Sequence, residues 1–300
     1  MSAMRILITG SSGMVGSALT PFLKRSGHDV IPIAREKGRA GTIFWDPAAG
    51  EVDLEALEGA DAVVHLAGEN IASGRWTAAR KDRIKNSRVQ GTRLLAESLG
   101  RLQRPPGVLV SASAIGYYGD RGSEVLTEES APGKGFLPDV CRLWESATDA
   151  ATRKGIRVVH ARIGIILSSK GGALPKMALP FRLGAGGRIG SGEQYMSWIA
   201  LDDVCGVILH AIVATGLHGP VNTVSPVPIK NRDFTRILGG VLSRPAIFPL
   251  PAFVARVVLG EMADELLLAG GRVEPAKLQA TRYGFRHRDL EKTLRELFEK

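Results

Sequence analysis

The stretch MRILITGSSGMVG, residues 4–16, decides how the rest of the chain is read. Met4–Thr9 (MRILIT), apolar but for Arg5 and Thr9, is of strand length and reads as a buried strand. Gly10-Ser-Ser-Gly13-Met-Val-Gly16 follows at once and opens a helical pattern over Met14–Ser26. That pattern stops before Gly27, a residue suited to the left-handed C′ position. Glycines at this spacing permit a tight turn and let the backbone approach a pyrophosphate at a helix N-terminus, where the dipole is positive. Gly10, Ser12, Gly13, Met14, Val15 and Gly16 are therefore expected to cradle a dinucleotide. Pro21 falls well inside the helix and is expected to kink or shorten it.

Outward from this unit, short apolar strands alternate with helices. Val30–Ala34, Ala62–Ala67, Val108–Ser111 and Arg157–Leu167 read as strands. Lys81–Leu102 and roughly Pro138–Lys154 read as helices; in the second, Val140, Leu143, Trp144, Ala147 and Ala151 recur at helical spacing. This alternation predicts an α/β fold, a Rossmann-type doubly wound parallel sheet. From Ser168 the texture becomes rich in Gly and Pro, then mostly helical after Ser225. Residues 1–167 are expected to form the nucleotide-binding domain, with late sheet elements from 195–224 (Tyr195–Ile199 and Val221–Val224 around a helix from Asp202 to Ala214). Residues 168–300 are expected to form a smaller, mainly helical substrate domain. Asp202-Asp203 looks like a catalytic pair, but it begins a helix, so N-capping is the preferred reading.

The second strand ends at Ala34-Arg35. Sites for the unphosphorylated dinucleotide place Asp or Glu about 20 residues past the glycines, to accept from the ribose hydroxyls. Here the residue is Arg35, and no acid precedes it. A guanidinium suits a 2′-phosphate through paired, charge-assisted hydrogen bonds, so the expected cofactor is NADP(H).

The net charge of +9 invites a nucleic-acid reading, but Lys and Arg are interspersed with Asp and Glu in runs shorter than five. Nucleic acid is not expected as a partner. No apolar run approaches the length of a membrane-spanning helix, so no membrane is expected either. Two cysteines, Cys141 and Cys205, suit a reducing, cytoplasmic compartment rather than a disulfide framework. The His and Cys residues show no metal-ligand spacing. A homodimer is compatible with all of this.

Further stretches carry a family resemblance: HLAGENI at 65–71, SRVQGT at 87–92, SASAIGYYGDRG at 111–122, VCRLWE at 140–145, GSGEQYMSWIALDDV at 190–204, and the tail from Pro249 to about 297. With the glycine loop they resemble an atypical branch of the extended short-chain dehydrogenase/reductases, the NAD-dependent epimerase/dehydratase-like proteins with a C-terminal add-on domain. The resemblance implies that Leu66, Ala67 and Gly68 lie against the adenosine half of the cofactor. Relatives usually carry Asn where Arg88 stands; Arg88 and Arg83 are candidates for cofactor phosphates, with a solvated helix face as the alternative. Ser111–Ser113 matches the strand end that bears the catalytic serine, Ser113 being the best match, and Gly164 to Ile166 should lie near the nicotinamide.

Active members use a Tyr-x-x-x-Lys pair, in which the lysine lowers the tyrosine pKa. Four residues after Tyr117, Tyr118, Tyr195 and Tyr283 come Arg121, Gly122, Ile199 and His287, so the pair is missing. If Glu145 aligns with the acid that commonly follows the motif, Leu137 and Cys141 hold the two positions. Substitute hydroxyls stand at Tyr117 and Tyr118, with Tyr117 and Ser113 the favoured catalytic candidates. Glu69, Asn70 and Trp198 are candidates for substrate contact; packed aromatics and loop-ordering hydrogen bonds are the competing readings. The expectation is an NADP(H)-dependent oxidoreductase or epimerase of a small polar molecule. Its rival is a non-catalytic NADP(H)-binding sensor, in keeping with the cell-division-inhibitor label that some relatives bear.

Overall fold

The structure is a computed structural model and describes residues 2–299. In chain order, β1 (Arg5–Thr9), α1 (Met14–Arg25), β2 (Asp29–Ala34), β3 (Ile43–Asp46) and β4 (Glu51–Val52) come first. They are followed by α2 (Leu54–Leu57), β5 (Ala62–His65), α3 (Ala78–Arg101) and β6 (Val108–Ala114). A 3₁₀ turn (Ile115–Tyr118), β7 (Val125–Leu126), α4 (Phe136–Ser146), α5 (Asp149–Arg153), β8 (Arg157–Ile163) and β9 (Ile165–Leu167) come next. Then come α6 (Ala173–Arg182), β10 (Tyr195–Met196), β11 (Trp198–Ala200), α7 (Leu201–Val213), β12 (Gly219–Thr223) and β13 (Ile229–Lys230). The remaining elements are α8 (Asn231–Val241), α9 (Ala252–Leu259), α10 (Glu261–Ala263), a π turn (Asp264–Leu268), β14 (Arg272–Val273), α11 (Ala276–Ala280) and α12 (Leu290–Phe298).

The main sheet has the order β12-β8-β6-β5-β1-β2-β3-β4, parallel except for β4 at its edge. Strand order reverses between β1 and β5. In an open sheet of this kind the crevice for a ligand opens at the carboxyl ends of those two strands. Ile6, Leu7 and Ile8 are fully buried because the sheet is covered on both faces. Leu19 and Leu23 of α1 pack with Ile208 of α7 on one face, and Leu95 and Leu99 of α3 with Ala151 on the other. A third core, built from Phe181, Trp198, Phe234, Leu238, Leu290 and Leu294, holds the C-terminal region together.

Several expectations are corrected. α1 runs through Pro21 to Arg25; the proline sits on the exposed face, so the carbonyl it leaves unserved faces water. The segment 157–167 is two strands, not one. At Gly164 a Cβ would stand 2.4 Å from the Ser197 carbonyl oxygen and 2.7 Å from Val224 Cγ1, so only glycine lets the chain step from the main sheet onto β11. The helix expected over 138–154 breaks at Thr148, whose hydroxyl donates to the Glu145 carbonyl at 2.8 Å and meets His160 Nε2 at 2.9 Å. Residues 195–199 do not join the main sheet; β10 pairs with β13 and β11 with β9.

Asp203 is not an N-cap. α7 is capped by Ala200 without a side-chain bond, and Asp203, 2% exposed, instead accepts from the Arg286 and His287 backbone N–H groups, each at 2.8 Å. It binds the C-terminal tail to the sheet domain. Among the described residues no helix is long and apolar enough to cross a membrane.

Candidate functional site

The loop after β1 meets the loop after β5 at the bottom of the crevice. Gly10 has φ +69°, and a Cβ there would stand 2.8 Å from the Ala67 nitrogen. At Gly16 a Cβ would stand 2.2 Å from the Gly10 carbonyl oxygen. These two glycines are demanded by the protein's own packing. Gly13 differs: φ is −74°, and a Cβ would meet only the Gly10 oxygen at 3.3 Å. The space over Gly13 is left open. It is the N-cap of α1, with no side-chain cap and no acid in the first turn, so the first N–H groups of Met14, Val15 and Gly16 point into that space. Beneath them Thr9 Oγ1 accepts from the Leu66 and Ala67 N–H groups and meets His65 Nδ1 at 2.7 Å, which fixes both loop ends. Burial pushes the His65 imidazole down to about 4. The residues present fit a dinucleotide pyrophosphate. Ser12 is exposed on the same loop.

Toward the edge of the crevice, Ala34 ends β2 and Arg35 follows it. Arg35 is exposed and makes no ion pair or side-chain hydrogen bond among the described residues. Its neighbours are engaged: Arg39 with Glu36 at 3.0 Å and Lys37 with Glu51 at 4.0 Å. β3, which the sequence reading did not foresee, pairs Ile43 with Ile33 and Phe44 with Ala34, extending the sheet beyond β2.

Arg83 and Arg88 separate. Arg83 is exposed on α3 and makes no ion pair or side-chain hydrogen bond among the described residues. Arg88 turns inward, with its Cζ 3.5 Å from the position a Cβ on Gly68 would take and 5.0 Å from the Trp144 ring centroid. Burial pushes its guanidinium pKa below the ordinary value, and Nη1 donates to the Ile84 carbonyl at 3.1 Å. It is a half-buried cation under the HLAG loop rather than part of a solvated face.

The opposite end of the crevice is built differently. Ser113, Arg162 and Asn222 form one row across β6, β8 and β12. Ser113 Oγ, in a residue only 3% exposed, donates to Glu145 Oε1 at 2.7 Å. Arg162 grips both oxygens of Glu145 at 2.8 Å each, and its Nη1 donates to the Tyr118 hydroxyl at 3.0 Å. That hydroxyl donates in turn to Asn222 Oδ1 at 2.6 Å. Burial pushes the Tyr118 phenol up to about 12. Tyr118 is therefore structural, whereas Tyr117 is half-buried with a hydroxyl that makes no protein hydrogen bond. The Arg162 guanidinium lies 3.4 Å from the Tyr117 ring centroid. The sequence reading considered Glu145 only as an alignment marker and missed Arg162. The signal available was a cation, Arg162, inside the otherwise apolar stretch Val158–Ile163 apart from His160.

Leu137 and Cys141 pack against the 3₁₀ turn. A Cβ on Gly116 would touch Leu137 Cβ at 3.3 Å, and Cys141 Sγ lies 3.8 Å from the Ala114 carbonyl oxygen. Desolvation pushes the Cys141 thiol up to about 12. The two positions are filled by apolar packing and carry no proton chemistry. Ser111 is buried in β6, while Gly164 marks the strand break and Ile166 packs against the main core.

The expected substrate residues are placed as follows. Glu69 pairs with Arg80 at 2.5 Å, and Arg80 also donates to the Asn70 carbonyl and the Ser73 hydroxyl. Asn70 Oδ1 accepts from the Ala72 N–H at 2.9 Å in a local turn. Both order the 69–77 loop. Trp198 is 1% exposed in the C-terminal core, and Nε1 donates to the Val227 carbonyl at 3.0 Å. It is a packed aromatic and not a pocket wall, which corrects that expectation. The tail also reaches the crevice: Glu265 accepts from the Phe136 and Leu137 N–H groups at 3.2 and 3.4 Å, capping α4 from outside. Among the described residues no group of three or more His, Cys, Asp or Glu is placed to hold a metal.

Residues 6–222 match the model of the NAD dependent epimerase/dehydratase family, and residues 250–297 match a domain of unknown function, DUF1731. An epimerase family protein of Mycobacterium bovis, Mb2239, is 41% identical over 96% of each chain. The crystal structure of human epimerase family protein SDR39U1 with NADPH is 36% identical, covers 99% of this chain and 100% of its own, and superposes with a TM-score of 0.89. A nucleoside-diphosphate sugar epimerase from Corynebacterium glutamicum is 38% identical, covers 99% of this chain and 58% of its own, and superposes at 0.83.

Proposed function

Because this chain belongs to the NAD dependent epimerase/dehydratase family, we propose that it is an NADP(H)-dependent oxidoreductase or epimerase acting on a small polar molecule. The observation that carries this is the pairing of an open N–H cradle over Gly13 with an unpaired Arg35 at the rim of the same crevice. The cradle takes the pyrophosphate, and Arg35 takes a 2′-phosphate that an acid there would repel. The NADPH found with the human relative supports the same choice. Two buried, unpaired thiols agree with a reducing, cytoplasmic setting.

When bound, the nicotinamide supplies hydride transfer to or from a substrate carbon. The chain's own residues handle the proton. Ser113 gives its hydrogen to Glu145, so its oxygen presents lone pairs and accepts from a substrate hydroxyl. Tyr117, its hydroxyl free and its ring against Arg162, is the one group at this end able to donate. Arg162 stands where its charge stabilises a developing phenolate, although Glu145 already neutralises part of that charge. Turnover is therefore expected to be slow with generic carbonyl compounds.

The test is a screen of aldehydes, ketones and sugar nucleotides against stoichiometric NADPH, followed by Tyr117→Phe and Ser113→Ala on any hit. Loss of turnover in Tyr117→Phe with unchanged NADPH affinity is expected. Turnover surviving both substitutions removes these residues from the mechanism. Tight NADPH binding with no turnover across the screen makes the protein a non-catalytic sensor, as the packing of Leu137 and Cys141 would then explain.

A further inference from the structure

In the C-terminal region, α8 turns its inner residues Phe234 and Leu238 into the core and leaves another face at positions 232, 235, 236, 239 and 240. Over that face runs a ribbon in which Phe248 N–H donates to the Gly186 carbonyl at 3.0 Å and Leu250 N–H to the Arg188 carbonyl at 2.8 Å. Between helix and ribbon lies a cavity of about 580 Å³, within the range of small-molecule sites. Arg188, Arg232, Arg236 and Arg244 line it, and no acidic residue does.

Two of these cations are held elsewhere: Arg232 pairs with Glu193, and both Arg232 and Arg236 lie 3.8 Å from Asp233. Arg188 and Arg244 have no carboxylate within ion-pair distance and no side-chain hydrogen bond among the described residues. Thr235 adds an independent observation. It is 5% exposed, it lines the cavity, and its hydroxyl has no protein partner. The hydroxyl itself keeps some accessible surface although the residue is buried, so it is open to a ligand in the cavity. Gly240, also lining the cavity, is exposed, and a Cβ there would meet nothing within 4 Å. Ile247 and Pro249 form an apolar side wall.

Convergent guanidinium groups repel one another, and a phosphate relieves the repulsion by accepting from each in paired geometry. We propose that this cavity binds a small metabolite bearing a phosphate or pyrophosphate, held by Arg188, Arg244 and the Thr235 hydroxyl, with its organic part against Ile247 and Pro249. The site shares no residue with the dinucleotide crevice.

The test uses the full chain saturated with NADPH, so that the crevice is filled, and titrates inorganic pyrophosphate by calorimetry. Saturable, salt-sensitive binding is expected. It should weaken roughly tenfold in Arg188→Ala and roughly a hundredfold in Arg188→Ala/Arg244→Ala. It should also weaken severalfold in Thr235→Val, which removes the hydroxyl without touching a charge. NADPH affinity should stay unchanged in every variant, which shows that each is folded. Absence of saturable binding at millimolar pyrophosphate, or equal binding in the variants, overturns the proposal. So does co-sedimentation with vesicles of phosphatidylcholine and phosphatidylglycerol without pyrophosphate binding, because the arginines beside exposed Ile247 and Phe253 would then be a membrane-surface feature.

Discussion

At the Gly13 end of the crevice the protein has kept its polar groups uncommitted; at the Ser113 end, among the described residues, it has tied up all of them but the Tyr117 hydroxyl. Over Gly13 the first N–H groups of α1 face open space, and Arg35 has no partner among the described residues. Around Ser113, by contrast, Glu145, Arg162, Tyr118 and Asn222 saturate one another within 3.0 Å. Leu137 and Cys141 close the remaining space with apolar contacts. A site that binds needs donors free for the ligand, whereas a row of satisfied charges rigidifies the fold. The same strand ends thus support recognition at one end and stability at the other.

The largest effect that would break this contrast lies in the saturated row. Glu145→Ala leaves the Arg162 guanidinium, 3% exposed, without its counter-charge. Stability should fall by about 3–5 kcal/mol, as for a buried pair missing one partner. Urea unfolding checks this, and a loss under about 1 kcal/mol would mean that the row is not structural.

At the open end, Gly13→Val should do the reverse. Its backbone suits a branched residue, so the urea midpoint should stay put. The side chain should fill the cradle and cost about 3 kcal/mol of NADPH binding, roughly a hundredfold. Unaltered binding by calorimetry would reduce the loop to a structural turn. Arg35→Ala should cost about 1.5–3 kcal/mol for NADPH and almost nothing for NADH. Equal losses for the two nucleotides would sink the 2′-phosphate assignment.

The smallest effect concerns acid. Burial lowers the folded-state pKa of His65 from 6.5 to about 4. The unfolded chain therefore takes up a proton that the folded one refuses. The stability is complete above pH 6.5 and is lost as the pH falls through the window toward 4. About 2 kcal/mol should be gone near pH 5. His65→Gln should flatten that part of the profile, and an unchanged slope would locate the acid sensitivity elsewhere.

The open end was legible in the sequence because its determinants are local. A strand buried on both faces is a continuous apolar run, and the glycines that turn the chain lie within seven residues of it. Arg35 was read from spacing alone. The saturated end was not legible, because Ser113, Glu145 and Arg162 become neighbours only through the β6–β8 register and the docking of α4. β3 was missed because Ile43–Asp46 is four residues long, only half of them buried, and is flanked by glycine and proline. Trp198 was read as pocket lining from its place in a family stretch. Its burial depends on α8 and α12, which come much later in the chain.

The carboxylate of Asp203 shows how the sheet domain depends on the tail. It serves two N–H groups of the tail, Glu128 serves the Asn222 and Lys277 N–H groups, and Glu265 returns the service by capping α4. Removing the last fifty residues would orphan the buried Asp203, take one of the two N–H partners of Glu128 and uncap one helix in a single event. The tail is therefore part of what keeps the sheet domain's own buried charge satisfied.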